Sequence, residues 1–282
     1  MTNDQTIKAA VNALPPLGQL VSESQLYAKK SLGQNFLFDL NLTAKIATQT
    51  VTQTGTIIEV GPGPGGLTRS LLTQTDASII AIEKDRRAIS FLDHLITAGQ
   101  GRLILQEADA LTAPLWEYGT SPRAIVANLP YNIGTSLLLN WLDHAHHFSN
   151  FVLMFQKEVA MRICAKTGSQ AYGRLSIITQ WLTHTELLFD VPPEAFVPPP
   201  KITSSVVRLV PRDKPLFPCD KATLEAVTAK AFSQRRKMLR ASFKTLGGAD
   251  MLQEVGIDPT SRPQDLEISD FCALARHLEG RI

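Results

Sequence analysis

The chain has 282 residues, 44% of them hydrophobic and 19% charged, and a formal net charge of +2. This is globular composition, long enough for one large domain and a small one, and it excludes a disordered or fibrous protein. A charge so near neutral does not by itself indicate a nucleic-acid partner, so the placement of the charges matters more than their sum.

Residues 1–27 read as an N-terminal extension with Pro15-Pro16 in its middle and one short helix over Leu17–Tyr27. No apolar run approaches the ~20 residues that span a bilayer, and this terminus lacks a long apolar core, so a cytoplasmic protein is expected. Lys29 to Phe38 is basic and glycine-containing and leads into a helix near Asn41–Thr50. Strands and helices then alternate. Strands are expected at Thr56–Val60, Ser78–Glu83, Arg102–Gln106, Arg123–Ala127, Phe151–Phe155 and Ser205–Val210, with Ile177–Phe189 largely β. Helices are expected at Leu67–Gln74, Arg86–Ala98, Ser136–Asp143 and Glu158–Ala165. Continuous apolar strands alternating with helices imply an α/β sheet covered on both faces, parallel at least in its first half. Pro211 to Pro218 reads as a linker, and Lys221–Leu246, Asp250–Glu254 and Pro263–Leu278 read as helices of a small C-terminal domain. The expected division is an extension at 1–27, a ligand-binding domain at 28–211 and a helical domain at 212–282.

Two segments carry chemistry. Glu59-Val60-Gly61-Pro62-Gly63-Pro64-Gly65-Gly66 follows the first strand and precedes a helix. Glycines there let the backbone turn sharply and approach a ligand, but the spacing also satisfies the dinucleotide fingerprint, so by itself it does not separate NAD from another adenosine cofactor. Glu83, twenty residues after Gly63, ends the second strand where an acid can accept both ribose hydroxyls. Asp109 reads equally as a partner for an adenine amino group and as a helix N-cap. The second segment, Asn128-Leu129-Pro130-Tyr131, follows the apolar run Ala124–Ala127. It offers a side-chain amide, two backbone carbonyls and an aromatic ring, a set that can hold a flat heterocycle and accept hydrogen bonds from an amino group on it. A hydride-transfer site does not require this element. With Glu59 beside the glycines, it points to S-adenosylmethionine, whose positive sulfonium suits a site holding Glu59, Glu83 and Asp109.

Taken together, the motifs resemble the KsgA (RsmA) family of small-subunit ribosomal RNA adenine dimethyltransferases. The matching pieces are Ser31-Leu32-Gly33-Gln34-Asn35-Phe36-Leu37, Glu59 to Gly65, Glu83-Lys84-Asp85, Ala108-Asp109-Ala110 and Asn128-Leu129-Pro130-Tyr131-Asn132-Ile133. Further on come Gln156 to Ala160, Phe196-Val197-Pro198-Pro199-Pro200-Lys201-Ile202 and Ala231 to Lys237. The resemblance covers roughly residues 28 to 278. It implies a seven-stranded class I methyltransferase (Rossmann-like) sheet with an all-helical C-terminal domain, and dimethylation of two adjacent adenosines in the 3′-terminal hairpin of 16S ribosomal RNA. It implies that Asn35, Leu37, Gly61, Glu83, Asp109 and Asn128 line the S-adenosylmethionine site. Asn128, Leu129, Pro130 and Tyr131 would hold the target adenine, and Phe196 would stack on its other face. It further implies a monomer acting on the small subunit or its precursor, without metal or membrane.

Between Glu225 and Asp250 the chain carries six basic residues and no acid: Lys230, Arg235, Arg236, Lys237, Arg240 and Lys244. Arg236, Arg240 and Lys244 recur every four residues and are expected to share one helical face that meets phosphates. Lys29, Lys30 and Lys201 would extend this basic surface around the mouth of the site. His144, His146 and His147 lack a nearby cysteine and read as solvated or capping histidines, not metal ligands. The three cysteines, Cys164, Cys219 and Cys272, are far apart and odd in number and read as reduced thiols. Competing readings are a large-subunit RNA adenine methyltransferase of the antibiotic-resistance type, which typically carries Ile where this chain has Leu129, and a non-catalytic ribosome-assembly factor.

Overall fold

The computed structural model describes residues 3–24, 26–28, 33–52 and 54–282. They form two compact units, Met1–Ala160 with Glu186–Pro211, and Met161–Thr185 with Arg212–Ile282.

The first unit is built on a seven-stranded sheet. Two helices, α1 (Asn3–Asn12) and α2 (Leu17–Ser24), precede a short strand β1 (Phe36–Leu37) and α3 (Leu40–Ala47). Then come β2 (Thr56–Val60), α4 (Gly66–Gln74), β3 (Ser78–Glu83), α5 (Arg86–Phe91), α6 (Asp93–Ala98), β4 (Leu103–Glu107), β5 (Arg123–Asn128) and α7 (Gly134–Leu142). β6 (Asn150–Gln156) and α8 (Lys157–Ile163) follow, and after α9 (Arg174–Leu182), which belongs to the second unit, come β7 (Thr183–Val191), β8 (Phe196–Val197) and β9 (Ser204–Pro211). The sheet order is β4-β3-β2-β5-β6-β9-β7, and β1 pairs antiparallel with β8 in a separate ladder.

Every residue of β2 is buried, as are the inner residues of β5 and β6. These continuous apolar runs fit strands covered on both faces, and β2 pairs parallel with both β3 and β5. The chain therefore leaves β2 toward β3 on one side and reaches β5 on the other. The crevice at this reversal lies outside the carboxyl ends of β2 and β5, which is where open α/β sheets take their ligands. The two sequence segments that carry chemistry are the ones that follow β2 and β5. Strand β9 runs antiparallel to β6 with Ser204 opposite Gln156, so β9 begins at the ligand edge of the sheet.

The extension is folded onto this unit. Ile7 and Val11 of α1 join the main core, and Leu17, Val21 and Leu26 form a satellite cluster with Phe38 and Phe91. Arg102 pairs with Asp4 at 3.1 Å, and Arg69 Nη1 donates to the Pro15 carbonyl at 2.8 Å.

Several expectations are corrected. The span Ile177–Phe189 is not largely β: α9 runs to Leu182 before β7 begins. Its β-branched residues favour a strand locally, but Ile177, Ile178 and Trp181 bury one helical face. Gly173 N–H donates to Ser176 Oγ, and Thr179 Oγ1 donates back to the Leu175 carbonyl, which satisfies the polar groups in helical form. The segment 161–185 groups with the second unit, because α9 packs on α10 (Lys221–Phe232). The expected helix Lys221–Leu246 is broken. After α10 come irregular turns, α11 (Leu239–Ser242) and a 3-10 turn at Lys244–Leu246. Leu239 N–H donates to the Ser261 carbonyl and Arg240 N–H to the Pro259 carbonyl, so these donors are drawn away from a continuous helix. Arg236, Arg240 and Lys244 therefore do not share one helical face. The unit closes with α12 (Gly248–Glu254) and α13 (Ile268–Leu278), and α13 packs on α10.

Candidate active site

The turn after β2 is shaped by glycine. Gly61 has φ +71°, and a Cβ there would project into open space. Gly66 opens α4 so close to the β1 backbone that a Cβ would lie 2.3 Å from the Leu37 carbonyl. The result is a cavity of about 190 Å³ over the carboxyl ends of β2, β3 and β5. Asn35, Leu37, Gly61, Glu83, Asp109 and Asn128 all line it, as do Leu129, Pro130, Tyr131 and Glu59.

The carboxylates of this cavity sit in different fields. Glu83 Oε1 accepts from the backbone N–H groups of Lys84 at 2.9 Å and Asp85 at 2.8 Å, and Oε2 faces Gly63 N–H at 3.4 Å. Burial raises its pKa and those three N–H groups oppose the rise. Carboxylate oxygens keep further lone pairs, so Glu83 can still accept hydroxyl donors. Glu59 is 1% exposed, and burial pushes its carboxyl up to about 8, with the Glu83 charge adding to the effect. Glu59 Oε2 and its neighbour Thr68 Oγ1 are buried without well-formed hydrogen bonds among the described residues. A buried carboxyl with one oxygen unsatisfied beside a cavity is suited to a cationic ligand.

Asp109 is a turn cap in this structure. Its Oδ1 accepts from Leu111 N–H at 3.0 Å, and Oδ2 pairs with Lys84 Nζ at 3.3 Å. The Leu111 N–H, followed by Lys84, holds its carboxyl below the usual carboxylate range. The capping reading is thus present, and the residue lines the cavity as well.

The segment after β5 is oriented by its own hydrogen bonds. Asn128 Nδ2 donates to the Asn35 carbonyl at 3.0 Å. A carbonyl accepts only from the amide nitrogen, so this bond fixes which way the amide points and leaves Oδ1 as an acceptor with no donor among the described residues. The Pro130 carbonyl is occupied, accepting from Ile133 N–H at 3.2 Å and Gly134 N–H at 3.0 Å to launch α7. The Leu129 carbonyl receives no hydrogen bond from the described residues. Of the two backbone carbonyls expected to be open, one is. Pro130 brings no N–H of its own and stiffens the turn. The Tyr131 ring lines the cavity, and its hydroxyl meets Ser204 Oγ at 2.6 Å. Burial raises the Tyr131 pKa, so the phenol stays neutral.

Phe196 stands apart from the cavity. It is 1% exposed and belongs to the core cluster, opposite Leu37 in the β1–β8 ladder, and it does not line the cavity. Its side chain is held by apolar packing, so the stacking role inferred from the resemblance is not formed here. The aromatic lining consists of Tyr131 and Phe36.

The basic residues divide. Lys201, Arg236, Lys237, Arg240 and Lys244 are exposed. Within the second unit, Arg236, Lys237 and Arg240 meet Arg262, which sequence reading missed, around one shallow cavity. Arg235 turns inward: its Nη2 donates to the Gln170 carbonyl at 2.6 Å, and its guanidinium lies over the Phe232 ring. Lys29 and Lys30 lie outside the described residues. Among the described residues no group of His, Cys, Asp and Glu is arranged to hold a metal, and no helix is long and apolar enough to cross a membrane. His144 stacks on Trp116 with ring centroids 3.4 Å apart.

Residues 25–279 match the family model described as ribosomal RNA adenine dimethylase. The chain is 54% identical over 270 residues to "Ribosomal RNA small subunit methyltransferase A" of Paramagnetospirillum magneticum, covering 95% of this chain and 96% of that one. It is 51% identical over 276 residues to the protein of the same name from Agrobacterium fabrum, covering 96% of this chain and 100% of the relative. Among solved structures, a dimethyladenosine transferase from Plasmodium falciparum aligns with a TM-score of 0.71 at 27% identity, over 86% of this chain and 95% of that chain. The 23S rRNA methyltransferase ErmE aligns with a TM-score of 0.65 at 27% identity, over 87% of this chain and all of that one. A class I methyltransferase sheet, an Asn-Leu-Pro-Tyr turn after β5 and a family match over nearly the whole length agree: the chain belongs to the ribosomal RNA adenine dimethylase family.

Proposed function

We propose that this protein dimethylates two adjacent adenosines in the 3′-terminal hairpin of 16S ribosomal RNA, using S-adenosylmethionine, as a cytoplasmic monomer acting on the small subunit or its precursor. The observation that carries this reading is the Asn128 amide, oriented by the Asn35 carbonyl so that its own Oδ1 and the Leu129 carbonyl are two acceptors left open by the described residues, beside Tyr131.

The residues present fit the methyl donor. Glu83 has the free lone pairs for ribose hydroxyls, Gly61 leaves space for close approach, and Glu59, with its Oε2 unsatisfied among the described residues, is matched to positive charge. When bound, the donor supplies an electrophilic methyl carbon. The acceptor has a weaker chemistry to overcome, because the adenine amine shares its lone pair with the ring. Asn128 Oδ1 and the Leu129 carbonyl can each accept one amine hydrogen, which turns the lone pair out of conjugation. No strong general base is needed, since the amine proton becomes acidic once the nitrogen carries positive charge. Alignment and fixed dipoles then supply most of the acceleration. A base within a duplex must first be flipped out, and stacking on Tyr131 returns about 1–3 kcal/mol. Arg236, Lys237, Arg240, Lys244 and Lys201 are proposed to meet RNA phosphates.

The large-subunit alternative draws on the likeness to ErmE. The relatives that are about half identical over nearly the whole chain carry the small-subunit name, and this favours the small-subunit substrate. The deciding experiment compares methyl transfer to naked small-subunit RNA, assembled small subunits and large-subunit RNA, with the modified positions mapped. Modification confined to large-subunit RNA refutes the proposal, and no transfer to any of the three refutes an enzymatic role.

A further inference from the structure

Ser204 was not singled out by any sequence motif. It is fully buried at the first position of β9 and sits opposite Gln156 at the end of β6. Because β9 is antiparallel to β6, its first residue, and not its last, reaches the edge of the sheet where the cavity opens. Successive strand residues point to opposite faces, so Ser204 and Ser205 part ways. Ser205 Oγ donates to Asp190 Oδ1 at 2.6 Å, while Ser204 Oγ meets Tyr131 Oη at 2.6 Å.

The Tyr131 backbone is already held. The turn closes through two N–H groups on the Pro130 carbonyl, and the preceding Asn128 is tied to Asn35. What remains free is the side chain. The hydroxyl lies on the long axis of the ring, so anchoring it fixes the direction of that axis and therefore χ1. Ser204 is set by a strand ladder, which is a rigid mount.

We propose that Ser204 is a positioning residue for the target base, whose hydroxyl holds the long axis of the Tyr131 ring in the direction that lets the ring stack on the flipped adenine. This rests on the functional reading above, in which Tyr131 stacks on an adenine. Ser204 need not touch substrate or donor. Either hydroxyl of the pair can donate, so the bond works in both senses and needs no ionisation.

The test compares wild type, Ser204→Ala, Tyr131→Phe and the double variant. Tyr131→Phe keeps the ring and removes one oxygen, so it cuts the same bond without touching the β9 core. Single-turnover methyl transfer to small-subunit RNA should slow by about 2- to 12-fold in each single variant, the range for one neutral hydrogen bond. The double variant should be no slower than either single. RNA affinity by gel shift and donor affinity by calorimetry should stay at wild-type values. 2-Aminopurine placed at the target position should show altered stacking in both single variants alike. A wild-type rate for Ser204→Ala overturns the inference. So do losses that multiply in the double variant, or a parallel loss of donor affinity, which would mark Ser204 as structural support only. Wild-type protein that methylates no adenosine overturns the functional reading and this inference with it, whereas an active wild type with an unaffected Ser204→Ala overturns the inference alone.

Discussion

Glu59→Gln is the sharpest perturbation of the cofactor cavity, because the glutamine amide matches the glutamate in shape and cannot ionise. In the folded chain burial pushes the Glu59 carboxyl from its ordinary 4.5 up to about 8. A raised carboxyl contributes stability that is fully present below pH ~4.5 and is lost as pH climbs toward ~8, since the unfolded chain ionises first. At about 1.36 kcal/mol per pH unit the complete window is worth about 5 kcal/mol, of which about 1 is lost by pH 5 and about 3 by pH 7. The glutamine variant escapes this loss. Relative to wild type it should therefore gain about 2 kcal/mol between pH 5 and pH 7, whatever constant offset the substitution itself brings. The Thr68 hydroxyl, which already acts on the Glu59 carboxyl, can accept from the new amide. Urea unfolding of the ligand-free protein at both pH values measures the difference directly. The methyl donor is cationic and favours the ionised carboxylate, so wild-type donor affinity should rise with pH up to about 8, and the variant should be weak and flat. Identical pH slopes of stability for the two proteins would refute the reasoning, since they would mean that Glu59 is already ionised in the fold.

Asn128→Ala should lower single-turnover methyl transfer by about 10²- to 10³-fold, the cost of deleting one preorganised dipole aimed at developing charge, while donor binding measured by calorimetry is weakened only mildly through the lost bond to Asn35. Near-normal turnover would remove Asn128 from the chemistry. Phe196→Ala should cost about 3–5 kcal/mol of stability as a large-to-small core change, whereas Phe196→Leu should keep most of the stability and the methylation rate. A folded Phe196→Leu protein with strongly reduced methylation would instead restore the stacking role that the core position argues against. Charge reversal at Arg236 and Arg240 together should weaken RNA binding at low salt and reduce the salt slope of log K by about 2, and an unchanged slope would move the RNA contact elsewhere.

The fold and most of the cavity were legible because their signals are local. An acid and glycines after one apolar run, and an Asn-Leu-Pro-Tyr turn after another, declare strand ends at which backbone shape and side-chain chemistry are set by neighbours in sequence. Lys201, Arg236, Lys237 and Arg240 were likewise found by composition, and the structure leaves them exposed. Local signals failed where a distant segment competes for the same groups. The helix expected through Arg240 is broken because carbonyls some twenty residues downstream take its N–H donors. The β-rich run at Ile177 becomes helical because it packs on α10. The family resemblance places Phe196 against the target base, yet its pairing across from Leu37 buries it.

The sequence by itself determined the alternation of strands and helices from β2 to β6, the ligand edge of the sheet and the chemical class of the cavity, since each of these follows from residues adjacent along the chain. Only the tertiary structure decided which acceptors are free, which arginines reach solvent and which of two neighbouring serines meets Tyr131. Those outcomes depend on hydrogen-bond partners contributed by other strands. A polar group's role is settled by whether something remote in the chain has already satisfied it.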